Sequence, residues 1–107
     1  MNFNEYQKSA AKTAIYPPSK GFEYLATGLA AEAGEVAGLI AKAIRGDYIG
    51  VGLDKGELIK ELGDVLWFIA EFATEIDVDL EKIAEQNLVK LEDRQKRGKI
   101  QGNGNNR

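Results

Sequence analysis

Two short acidic pairs mark where chemistry is concentrated in this chain: Glu32 and Glu35 in "EAGE", and Glu61 and Asp64 in "ELGD". Each pair lies inside an apolar stretch of helical spacing, "LATGLAAEAGEVAGLIAKAI" and "LIKELGDVLWFIAEF". Residues three apart on a helix differ by roughly 60° around its axis, so each pair shares one side. On the first of these helices Leu25, Leu29, Val36, Ile40 and Ala43 form the apolar stripe, with Glu32 near its middle and Glu35 on its flank. On the second, Leu58, Leu62, Val65, Ile69 and Ile76 form the stripe, with Glu61 at its edge and Asp64 just beyond Phe68.

Taken singly, most of these acids have ordinary explanations. Asp64 reads as solvated beside Lys60, Glu71 and Glu75, Glu35 as a partner of Lys42, and Glu61 as a neutralised core acid. Glu32 resists this treatment, because an ionised carboxylate buried without a partner costs several kcal/mol, comparable with the stability of a whole domain. Packed stripe to stripe, the two helices bring all four carboxylates together. Like charges about 4 Å apart repel by roughly 4 kcal/mol at an effective dielectric near 20. A bound divalent cation turns that repulsion into coordination. Ala31, Gly34, Gly38 and Gly63 are the small residues expected to let the backbones approach around it.

Composition narrows the chemistry further. The chain has no histidine and no cysteine, which excludes His-based nucleophile systems, ordinary zinc sites, disulfides and Glu-x-x-His di-iron centres. Oxygen donors remain, and they suit magnesium, with manganese as a substitute. A net charge of −3 provides no overall positive field for a nucleic-acid polymer or a membrane surface. Neither a signal-peptide core nor a membrane span is apparent, so a cytoplasmic protein is expected.

Around the acids the elements are legible as one domain. Phe3, Tyr6, Ala10, Ala11 and Ala14 outline a short helix that stops before Pro17-Pro18. A second helix spans about Gly21 to Ile44 and ends at Gly46. The glycine-rich stretch from Gly46 to Gly56 reads as a mobile loop. Asp54 followed by Glu57 predicts a capping box opening a third helix that ends near Ile76. The fourth starts at Asp77 or Asp79 and stops at Gly98. The tail "QGNGNNR", residues 101–107, is expected to be disordered on composition, within a glycine- and asparagine-rich segment 99–107. The fold class is all-α, a four-helix bundle.

The fourth helix adds a polar group to its stripe of Leu80, Ala84 and Leu91. Asn87 lies within the stripe, Lys90 on its flank and Arg94 one turn on. One reading is a buried amide with two solvated cations; the other is an amide and cations that face an anionic, metal-bound ligand. Acids for a metal, a lysine and a flexible loop are the parts that phosphate chemistry requires.

The ordered set "EAGE", "KELGDVLWFIA" and "NLVKLEDRQKRG" resembles the MazG-like nucleoside triphosphate pyrophosphohydrolases of the all-α NTP pyrophosphatase superfamily, over about residues 21–98. The resemblance implies hydrolysis of a nucleoside triphosphate, or a deoxynucleotide, to monophosphate and pyrophosphate. It implies magnesium on Glu32, Glu35, Glu61 and Asp64, with Lys90 and Asn87 at the phosphates or the metal shell, and Arg94 beside them. Glu35 is the candidate for activating water, with Glu61 and Lys90 as further catalytic candidates. Lys42 is a substrate-binding candidate. It also implies a homodimer or dimer of dimers, with bundles formed partly between chains. Relatives often end in a Gly-x-Gly-Asp-x-Arg-like tail, whereas here Asn105 takes the place of the acid before Arg107.

Trp67 projects nearly opposite the third helix's core stripe, which suits a subunit interface or stacking on a nucleobase. Tyr16, Tyr24 and Tyr48 are other candidate base contacts. House-cleaning of damaged nucleotides, control of the nucleotide pool and alteration of signalling nucleotides all fit the residues. Two rivals fit the helices as well: a nucleotide-binding module without catalysis, and a helical interaction protein. The first would bind nucleotide without forming product, and the second would be indifferent to metal.

Overall fold

Asn2 opens the chain's first helix, α1 (Phe3–Ala11), where its side-chain oxygen accepts the Glu5 backbone N–H at 2.8 Å. The computed structural model describes residues 1–47 and 53–107. A short 3₁₀ turn at Pro18–Lys20 leads into α2 (Gly21–Arg45). Gly46 ends α2 at φ 85°, a left-handed conformation suited to glycine. Asp54 caps α3 (Lys55–Glu75), its Oδ1 accepting from the Gly56 and Glu57 backbones at 2.9 and 3.3 Å. Glu57 turns to Lys60 at 3.0 Å instead of completing a reciprocal box. The fourth helix, α4 (Leu80–Lys96), ends ahead of Gly98 at φ 68°. The architecture is all-α, as expected, with no strand among the described residues.

α3 is the element on which the others pack. α2 lies along it, α1 crosses it, and α4 returns beside it; α1 also touches α4, while α2 and α4 do not meet. The α2–α3 seam is aromatic. Phe68 meets Tyr24 at 5.9 Å and Trp67 edge-on at 4.9 Å, and Phe22 meets Phe72 at 6.1 Å. Close approach along this seam rests on Gly28, where an added Cβ would lie 2.1 Å from the Phe68 ring. Gly34, Gly38 and Gly63, expected to serve that purpose, have nothing within 4 Å of such an atom.

α1 does more than cover a face. Gln7, buried, donates to Thr74 Oγ1 at 3.2 Å and the Val78 carbonyl at 2.9 Å, and accepts from the Leu80 N–H at 2.8 Å. It therefore caps α4 from outside, where Asp79 sits at the N-cap position without a side-chain capping bond. Leu80, Ala10 and Ala70 form the small core beneath, with Trp67 and Tyr6 packed against it.

Several expectations change on this scaffold. α1 packs on the α3 face that carries Trp67 and Ala70, so that face is covered rather than solvated. Trp67 packs there, and its Nε1 donates to Thr13 Oγ1 at 2.8 Å. Glu71, expected to be solvated, is 1% exposed, and its Oε1 has no hydrogen-bond partner. The stripes are in turn less buried than their spacing implies: Ile40, Leu62, Ile76 and Leu91 are all exposed. The tail is ordered, folded back on α4. Tyr48, Gly50 and Gly52, read as loop or base contact, lie outside the described residues.

Candidate metal centre

α2 and α3 bring three of the four acids together. Glu32, Glu61 and Asp64 each offer a carboxylate oxygen, and these oxygens lie within 4.8 Å of one another. The two helices meet along the aromatic seam, so their i, i+3 acids continue that contact at its polar end. Burial pushes the Glu32 carboxyl up, and the charges of Asp64, Glu61 and Glu35 push it further in the same direction. Among the described residues no cation acts on Glu32, and none of the three forms an ion pair. An all-oxygen donor set that repels itself fits a hard divalent cation.

Glu35 is exposed and stands outside the triplet, though within its electrostatic reach. Tyr6 approaches from α1: burial raises its hydroxyl pKa, and the charges of Asp64 and Glu71 add to the rise.

The remaining candidates are dispersed. Lys42 is exposed near the end of α2, where it reinforces the main effect of Arg45 in lowering the pKa of Asp47; it forms no ion pair with Glu35. Tyr16 and Tyr24 stack on each other, ring centroids 4.9 Å apart. Asn87 is exposed on α4 rather than buried in a stripe. Lys90 and Arg94 are not solvated cations. Lys90 Nζ donates to Asn105 Oδ1 at 3.0 Å, and Arg94, 5% exposed, donates to the Asn105 carbonyl at 2.6 Å.

Sequence reasoning missed Gln7, Glu71 and the tail's grip on α4. The one available signal for Glu71 was Trp67, which precedes it by four residues on the same face. A large indole there implied that something covers that face.

Comparison with known proteins gives a consistent picture. Residues 20–98 match the family described as the MazG nucleotide pyrophosphohydrolase domain. The chain is also similar to the "Gene 37 protein" of Mycobacterium phage L5, 40% identical over a 114-residue alignment that covers all of both chains. No solved structure matches it.

Proposed function

The chain belongs to the MazG nucleotide pyrophosphohydrolase family, and on that premise we propose that it hydrolyses a nucleoside triphosphate, ordinary or deoxy, to the monophosphate and pyrophosphate. The observation that carries the reading is the convergence of Glu32, Glu61 and Asp64, none of them in an ion pair among the described residues. These three residues would hold magnesium, or manganese in its place. When bound, the ion supplies charge neutralisation at the phosphate oxygens and a lower pKa for the attacking water.

The chain's own groups divide the remaining work. Glu35, beside the triplet but outside it, takes the proton from the water that attacks the α-phosphorus. The bond from that phosphorus to the bridging oxygen breaks, and pyrophosphate leaves with the electron pair. Lys90 and Arg94 balance the charge on the leaving group, with Asn87 as an additional donor. Trp67, tied to Thr13 in this chain, is the least supported of the substrate-contact candidates, and Lys42 is too far along α2 to act beside the triplet of its own chain.

Lys90 and Arg94 are held by the tail of their own chain and pair with none of the three carboxylates, so a second copy is the simpler source of a phosphate-facing cation beside a triplet. Exposed Leu88 and Val89 on α4, with a radius of gyration of 16.9 Å against the roughly 13 Å usual for this length, support a homodimer or dimer of dimers. No helix among the described residues is long and apolar enough to cross a membrane, and a cytoplasmic location agrees with the proposed substrate.

Product analysis on a panel of triphosphates, with and without magnesium, tests the reading. Monophosphate and pyrophosphate formed only with metal is the expected result. Saturable binding without product would favour a sensor instead.

A further inference from the structure

Residues 99–107 fold into a small closed unit through their last side chain. The Arg107 guanidinium donates to the carbonyls of Lys99, Ile100 and Gly104 at 3.2, 2.9 and 2.7 Å, and the Arg107 carbonyl accepts from Arg97 at 2.6 Å. Gly102 and Gly104, at φ 124° and 86°, permit the reversal.

That unit presents Asn105 to α4. Its side-chain oxygen accepts from Lys90 Nζ at 3.0 Å and from Arg94 Nη2 at 3.3 Å, and its main-chain oxygen accepts from Arg94 at 2.6 Å. Among the described residues neither cation forms an ion pair. Both are thus held by neutral acceptors, which fix direction without cancelling charge. A guanidinium that is 5% exposed with only neutral partners keeps a strong preference for an anion. A lysine otherwise free on a four-carbon stem loses less entropy on binding if it is already fixed.

We propose that Asn105 is a positioning residue for an anion seat made by Lys90 and Arg94, that Arg107 folds the tail that holds it, and that the seat takes the pyrophosphate portion of a polyphosphate. This rests on the reading that Lys90 and Arg94 face phosphates.

The test uses full-length protein and inorganic pyrophosphate with magnesium, titrated calorimetrically, so that turnover is not needed. Asn105→Ala is expected to weaken pyrophosphate about fivefold to tenfold, the worth of about one hydrogen bond. Arg107→Ala, which touches neither cation, should reproduce the loss. Helix content and ligand-free melting should stay close to wild type, because both residues lie outside the helices and outside the core of Ala10, Ala70 and Leu80. Unchanged affinity in both variants overturns the proposal. Tighter binding also overturns it, since the tail would then be competing for the seat. A wild type that binds pyrophosphate through Asn105 but hydrolyses no triphosphate would refute the proposed function and leave the seat standing. A wild type that binds no pyrophosphate would overturn the seat, while triphosphate product analysis decides the proposed function.

Discussion

Gly28 stands directly beneath the ring of Phe68. A methyl group at this position would lie 2.1 Å from the ring's edge, and the ring is already packed against Tyr24 and Trp67. Alanine would add about 1 kcal/mol of helix propensity, but overpacking costs about 1–3 kcal/mol when the neighbour has nowhere to go. Gly28→Ala is therefore expected to destabilise the fold in urea or thermal melting. Gly38→Ala, with nothing within 4 Å of the added atom, should instead stabilise it by up to about 1 kcal/mol.

Glu71 gives a prediction in pH. Burial holds its carboxyl above the usual range, the Tyr16 hydroxyl opposes the rise, and Glu75 adds to it. A carboxyl raised in the folded state has no effect on stability below its unfolded pKa of about 4.3. Its destabilising effect grows as pH rises toward the folded value and is full above that. Glu71→Gln should raise the melting temperature at pH 8, by an amount corresponding to about 1–3 kcal/mol for relieving an unpartnered buried group. That advantage should shrink to nothing near pH 4. A gap independent of pH would mean that the Glu71 carboxyl titrates alike in the folded and unfolded states, and would remove the account of its burial.

Metal affinity should depend on pH in the opposite sense. A raised Glu32 carboxyl releases its proton at higher pH than an ordinary one, and that proton competes with the cation, so manganese titrations should show tighter binding as pH rises above the ordinary carboxylate range. Glu61→Gln should lose most metal affinity and nearly all turnover while keeping its helices, since a neutral amide replaces one of three converging carboxylates. Full activity in that variant would remove the metal assignment.

A site shared between copies, a triplet from one and Lys90 from another, predicts complementation. Glu61→Gln and Lys90→Ala should each be nearly inactive alone. Mixed after mild unfolding and refolding, they should regain a measurable share of activity, because some assemblies then pair an intact triplet with an intact Lys90. Absence of recovery in mixed assemblies would place Lys90 and the triplet of one chain in the same site.

The legible and illegible parts of this molecule differ in what they depend on. Gly46 and Asp54 act on their own helices, so their roles follow from local geometry and can be read from sequence. The meeting of Glu32, Glu61 and Asp64 was also legible, since i, i+3 acids beside two apolar stripes have few other places to go. Gln7 capping α4, Glu71 buried near Tyr16 and Asn105 holding Arg94 all depend on contacts between residues distant in sequence. Spacing within one helix names none of those partners, although Trp67 signals that the Glu71 face is covered. The exposed positions on α4 have the same cause: apolar periodicity identifies a face that seeks cover, not the chain that provides it.

The most direct test of the central claim is hydrolysis of a nucleoside triphosphate in water enriched with oxygen-18, in the presence of magnesium, with products resolved by mass. The account predicts the label in the nucleoside monophosphate, unlabelled pyrophosphate, and no products once the metal is chelated. Label in pyrophosphate, or formation of diphosphate and orthophosphate, would contradict it.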